Sequence, residues 1–197
     1  MTKQIEFYFD FGSPNTYLAC FRLPEVLART GAEIVLRPML LGAVFKATGN
    51  VSPITVPAKG TYVRRVAERY VARYGIPFKP NPHFPVNTLA MMRGAVAHQM
   101  KPEGEFEKYL KTCFTGMWVK PRNLNEFSEI RLMLSEAVFD PEQFEDWIGD
   151  KIVKARLIEL TNVAVERGVF GAPTFFLGDE MYFGPDTQEE IERGVSS

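Results

Sequence analysis

Apolar and polar residues alternate at the start of the chain. Ile5, Phe7, Phe9 and Phe11 stand against Glu6, Tyr8 and Asp10, which is the two-residue period of a strand. Gly12 and Ser13 then turn the chain. Pro14 suits the first position of a helix, where its missing N–H is not needed, and Ser13 before it is a natural N-cap. The pattern predicts a helix to Thr30, kinked near Pro24 and stopped by Gly31. A second strand, E-I-V-L-R-P at 33–38, follows after a short turn. Strand, helix and strand with such short links make a βαβ unit with parallel strands.

From Met39 to about Val169 the spacing of apolar residues becomes helical. Helices are expected near 41–47, 58–74, 87–99, 105–118, 124–138, 141–149 and 151–167. In the second of these, Tyr62, Val66, Tyr70 and Tyr74 share one face, while Arg64, Arg65, Glu68 and Arg69 cover the others. Asp140-Pro141 reads as a cap and first residue, and Gly168 closes the run. Strands return as P-T-F-F-L and E-M-Y-F around a Gly178-Asp179 hairpin turn. A last helix is expected to open at Asp186, with Glu189 at capping-box spacing. The order is β-α-β, a helical insertion, then β-β-α, an α/β core.

With 197 residues, 46% of them hydrophobic, the chain can bury a proper core. Lys and Arg number 23 against 24 Asp and Glu, a formal charge of -1. That balance gives no global field to draw nucleic acid or anionic lipid, so small-molecule partners are expected. No run has the length of a membrane span, and Met1 to Gly12 lacks the order of a signal peptide. A cytoplasmic protein is expected. Cys20 and Cys113 are far apart and form no zinc pattern, so neither a metal site nor a structural disulfide is expected.

The chemistry concentrates in F-G-S-P-N-T, residues 11–16. A strand-to-helix turn reading C-P-x-C would be a dithiol site, but here Ser13 and Thr16 hold the two cysteine places. A helix N-terminus stabilises an anion, and a thiolate is one. One reading is that the anion arrives with a ligand and Ser13 donates a hydrogen bond to it. In another, Ser13 attacks as a nucleophile, which needs a base, and His83 and His98 belong to no triad motif. The bland reading is an ordinary N-cap. The second stretch is F-G-A-P-T-F-F, residues 170–176. Pro173, before a buried strand, is either a simple strand-start proline or a cis residue exposing the Ala172 backbone to an extended peptide ligand.

Ser13-Pro14 after the first strand, helices after the second, and Gly171-Ala172-Pro173 before the third resemble the DsbA-like thioredoxin fold. The chain is most similar to the 2-hydroxychromene-2-carboxylate isomerases and the kappa-class glutathione transferases. The similarity runs through F-Y-F-D-F-G-S-P, G-N-V-S-P, P-A-K-G-T-Y and V-F-G-A-P-T-F-F-L-G-D-E-M-Y-F-G-P-D. It implies a thioredoxin-like glutathione-binding domain of residues 1–38 and 169–197, with an inserted helical domain of residues 39–168. The thiol absent from the turn would then be that of glutathione.

Residue by residue, the resemblance implies that Ser13 holds the glutathione sulfur and that Ala172, before Pro173, pairs with the cysteinyl backbone. Asn50 and Lys59 match polar positions near the glycyl end. Asp186 would take the γ-glutamyl ammonium, and the N–H groups of Thr187 and Gln188 its carboxylate. For a small aromatic carboxylate as second substrate, Lys46 could engage the carboxylate, and Asn87 could orient it or merely cap a helix. Phe11, Tyr62, Phe84 and Trp118 could line an aromatic pocket. Cys20, His83 and His98 read as packing. The implied activity is glutathione-dependent isomerisation of 2-hydroxychromene-2-carboxylate to trans-o-hydroxybenzylidenepyruvate in aromatic-compound catabolism, by a homodimer. A kappa-like transferase or peroxidase, or a non-catalytic glutathione-binding module, is the alternative.

Overall fold

The structure, a computed structural model, describes residues 3–101 and 105–196. It begins with β1 (Gln4–Phe9), α1 (Pro14–Thr30) and β2 (Glu33–Pro38). The helices α2 (Leu41–Thr48), α3 (Pro57–Tyr74), α4 (Leu89–Met100), α5 (Phe106–Trp118), α6 (Phe127–Glu136), α7 (Pro141–Gly149) and α8 (Lys151–Glu166) follow. The chain closes with β3 (Thr174–Leu177), β4 (Glu180–Phe183) and α9 (Gln188–Ser196). The strands lie in the order β2-β1-β3-β4. β1 runs parallel to β2 and antiparallel to β3, which pairs antiparallel with β4. This is an α/β thioredoxin-like sheet with a large helical insertion between its second and third strands.

The period of two in β1 sorts its residues between two cores. Ile5, Phe7 and Phe9 join Phe175, Leu18 and Val26 of α1 and Ile191 of α9 on one side. The Phe7 and Phe175 rings, opposite each other in the register, stack with centroids 4.6 Å apart. On the other side Tyr8 and Phe176 meet Met39, Val44 of α2, Ala164 of α8 and Val169. Helices thus cover both faces, so Tyr8 and Asp10, which alternation marks as polar, are buried too. β1 also ends at Phe9, two residues sooner than the apolar alternation suggests. Phe11 continues inward, packing edge-on against Phe114 of α5 at 4.9 Å. Through that contact the inserted helices share a core with the sheet.

Local signals were decisive at most element ends. Ser13 caps α1, and Gly31, at φ 65, ends it with its N–H on the Leu27 carbonyl. Pro24 lies inside α1. Asp140 caps α7 by accepting from Glu142 and Gln143 N–H. The last helix departs from expectation. Pro185–Thr187 form a 3₁₀ turn and the α-helix opens only at Gln188, so Asp186 precedes it and is not its N-cap. The Ala172–Pro173 peptide is cis, and so is Phe84–Pro85, which the sequence did not announce. Among the described residues no helix is long and apolar enough to cross a membrane.

Candidate functional site

The turn before α1 is held from several directions. Ser13 N–H donates to the Asp10 carbonyl at 3.2 Å, and the Ser13 carbonyl accepts from Tyr17 N–H at 3.2 Å. Ser13 Oγ accepts from Thr16 N–H at 3.2 Å and donates to the Ala172 carbonyl at 2.9 Å. The hydroxyl is thereby fixed between a helix N-terminus and the residue before the cis proline, with Ser13 only 6% exposed. No acidic residue stands in the first turn of α1, so the positive end of the helix is not neutralised from within its own sequence.

The Ala172–Pro173 segment connects onward. The Pro173 carbonyl accepts from Gly184 N–H at 3.1 Å, which brings the 185–187 turn beside it. Thr187 Oγ1 donates to the Gly184 carbonyl at 3.0 Å, and the exposed Asp186 carboxylate lies back over Gly184. The Tyr70 hydroxyl of α3 donates to the Pro185 carbonyl at 2.6 Å and accepts from the Arg22 guanidinium at 3.1 Å. On the other flank Asn50 Nδ2 donates to the Phe170 carbonyl at 2.8 Å, two residues before Ala172. Hydrogen bonds therefore tie Ser13 to Ala172 and, through Gly184, Thr187 to Pro173, with Asn50 on Phe170 at one flank and Asp186 over Gly184 at the other. Gln188 Nε2 donates to the Ala19 carbonyl at 2.8 Å. Among the described residues Asn15 Oδ1, Thr16 Oγ1 and Gln188 Oε1 are buried without a hydrogen-bond partner.

Other expected residues take no part in that chain of bonds. Lys46 is exposed in the last turn of α2. Lys59 and Tyr62, the latter 64% exposed, line an open depression of about 440 Å³ with Pro53, Ala58 and Val63. Ser13 is not part of that lining. Asn87 caps the start of α4, its Oδ1 accepting from Leu89 N–H at 3.1 Å. Of the four aromatic residues only some were expected to line the pocket, and the structure divides them. Phe11 is fully buried core, and Trp118 is buried with its indole N–H on the Phe11 carbonyl at 2.9 Å. Phe84, half-buried against Trp118, remains available.

Neither cysteine is prepared for redox chemistry, since burial pushes both thiols up to about 12. His98 is buried against Tyr109 with centroids 4.2 Å apart, and burial holds its imidazole down to about 4. The residue that sequence reading missed is Asp10. Its carboxylate, 1% exposed, accepts from Gly12 N–H and Leu41 N–H, each at 2.8 Å, with the Thr88 hydroxyl nearby. Burial raises its pKa, and those hydrogen bonds pull the other way. Asp followed two residues later by Gly is an Asx-turn signal that could have flagged it.

Residues 4–195 match the DSBA-like thioredoxin domain. A 2-hydroxychromene-2-carboxylate isomerase of Pseudomonas putida is 32% identical, over 97% of this chain and 93% of its own. Glutathione S-transferase kappa 1 of Rattus norvegicus is 27% identical, over 95% of this chain and 88% of its own. A solved 2-hydroxychromene-2-carboxylate isomerase superposes with a TM-score of 0.85 at 31% identity, covering 98% of this chain and 94% of that one.

Proposed function

This chain belongs to the DSBA-like thioredoxin family, among the 2-hydroxychromene-2-carboxylate isomerases, and on that premise we propose that it is a glutathione-dependent isomerase. Its reaction opens 2-hydroxychromene-2-carboxylate to trans-o-hydroxybenzylidenepyruvate. The observation that carries the proposal is the bond from Ser13 Oγ to the Ala172 carbonyl at the acid-free N-terminus of α1. That arrangement offers an anion-stabilising hydroxyl and a peptide carbonyl side by side, which suits a thiol tripeptide. The unpartnered Thr16 hydroxyl, in the first turn of α1, leaves further polar capacity there.

When bound, glutathione would supply a thiolate nucleophile for reversible attack on the conjugated substrate, and it would be returned unchanged. Ser13 would hold the sulfur through its hydroxyl, and the Ala172 carbonyl, which that hydroxyl now occupies, would accept a ligand N–H. The N-terminus of α1 favours the charged form, a setting that lowers a thiol pKa from about 8.5 to about 7 or below. Asn50 holds the 170–172 segment in place through the Phe170 carbonyl. Asp186 receives the γ-glutamyl ammonium, and the N–H groups of Thr187 and Gln188 its carboxylate. Lys59 neutralises the glycyl carboxylate, while Lys46 takes the carboxylate of the substrate.

The test is turnover of the chromene carboxylate followed by absorbance, with free thiol counted in parallel. An isomerase loses no thiol over many turnovers, and no turnover, or none that needs glutathione, overturns the proposal. A second reading, a kappa-like transferase, has the rat relative in its favour, and there thiol falls in step with product.

A further inference from the structure

We propose that Asp10 is a positioning residue for the Ser13 hydroxyl, gripping the turn through the Gly12 N–H while anchoring it to the start of α2. The Asp10 Oδ1 holds Gly12 N–H and its Oδ2 holds Leu41 N–H, each at 2.8 Å. Its backbone carbonyl holds Ser13 N–H. Leu41 is the first residue of α2, and Leu40 before it has no side chain that caps. Thr88, at the corresponding place before α4, makes no cap bond, and its hydroxyl lies close to Asp10. One carboxylate thus joins the Ser13 turn to the first helix of the insertion.

A merely structural staple would not need to be this residue. Burying a carboxylate costs free energy, and a negative charge close to an anion-binding turn works against that turn. What the site requires is two acceptor oxygens facing donors from two elements. An asparagine has one such oxygen, and its amide would point N–H at N–H. The grip is also tight. A Cβ on Gly12 would lie 3.2 Å from Thr88 Cγ2 and 3.3 Å from Asp10 Oδ1. Ser13, next in the chain, therefore has its place fixed from beneath by Asp10 and from in front by Ala172. Catalytic groups that slip by about 1 Å can lose about a hundredfold in rate, so this support matters to the reaction proposed above, on which the kinetic half of the claim rests.

The test has a ligand-free arm and a kinetic arm, using Asp10→Asn, Ser13→Ala and the double variant. Thr16 N–H donates to Ser13 Oγ, so its hydrogen exchange reports the hydroxyl's position without any ligand. In Asp10→Asn, Thr16 exchange should quicken about tenfold towards the rate in Ser13→Ala, with α5 and α8 amides unchanged. In the kinetic arm kcat should fall about tenfold with a smaller change in KM, and adding Asp10→Asn to Ser13→Ala should cost less than about twofold more. Should Asp10→Asn not fold, Thr88→Val, which removes only the hydroxyl beside Asp10, takes its place with the same direction expected. Unchanged Thr16 exchange, or effects of the two substitutions that multiply, overturns the proposal. If the wild type binds no glutathione, the functional reading fails by itself and the exchange arm still decides the role of Asp10.

Discussion

The hydroxyl of Ser13 donates to the carbonyl of Ala172 at 2.9 Å, across 159 residues of sequence. The first is the N-cap of α1 and the second precedes the cis proline before β3. Their meeting puts the start of a helix against a peptide edge. A sulfur placed at residue 13 should feel the helix terminus directly. Ser13→Cys is therefore expected to carry a thiol below the ordinary value of about 8.5, in contrast to Cys20 and Cys113 at about 12. Thiolate absorbance against pH, with Ser13→Cys compared to the parent protein, checks this. A new thiol titrating at or above the ordinary value would count against an anion site.

Asn50 reaches the same edge from outside, through its 2.8 Å bond to the Phe170 carbonyl. It is exposed, so Asn50→Ala should cost about 1 kcal/mol of stability or less. Glutathione affinity should nonetheless weaken about tenfold if this side chain keeps the 170–172 segment in register. Calorimetric titration beside a melting curve separates the two effects. Equal affinity in both proteins would remove Asn50 from the site.

Two helical glycines should respond differently to a methyl group. At Gly94 of α4 a Cβ would run into the Tyr109 hydroxyl and the Phe144 ring. Tyr109 is pinned by its bond to the Met91 carbonyl and cannot yield. At Gly116 of α5 the Cβ would meet the sulfur of Met133, a flexible side chain. Gly94→Ala is expected to cost about 3 kcal/mol and Gly116→Ala about 1 kcal/mol. Denaturant unfolding of both variants gives the comparison, and a reversed order would contradict the packing described.

His98 gives the protein an acid-sensitive core. Burial is the largest cause of its depressed pKa, with Glu105 opposing and Lys108 reinforcing the shift. The unfolded chain takes up a proton near 6.5, whereas the folded one refuses it until about 4. Stability is therefore fully present above about 6.5 and falls as pH drops towards 4, by roughly 1–2 kcal/mol after solvent screening is allowed for. In His98→Gln that part of the slope should vanish, whatever the substitution does at neutral pH. Unfolding free energies of both proteins at several pH values between 4 and 7 read it out.

Much of this molecule is written in local signals. The Ser13-Pro14 start of α1, the Gly31 stop and the Asp140-Pro141 start of α7 each rest on neighbours in sequence, and all three formed where the pattern placed them. The turn at Ser13 was equally visible, because the chemistry of a helix start needs only a few consecutive residues. What escaped depends on which element covers which. Asp10 alternates as if it faced water, yet α2 and α4 close over it. Phe11 and Trp118 look like pocket aromatics until the helices pack and make them core. Asp186 carries a cap signal, but the 3₁₀ turn at Pro185 displaces the helix start beyond it.

The measurement that bears hardest on Ser13 is glutathione titrated into the wild type and Ser13→Ala at several pH values, with binding followed by calorimetry and thiolate by ultraviolet absorbance. The wild type should bind glutathione as a thiolate near neutral pH. Ser13→Ala should raise the apparent thiol pKa by about 1–2 units, the loss of one hydrogen bond to a charged group, while largely sparing affinity. Glutathione that fails to bind, or binds with the same ordinary thiol pKa in both proteins, would contradict the role assigned to Ser13 and leave only the fold.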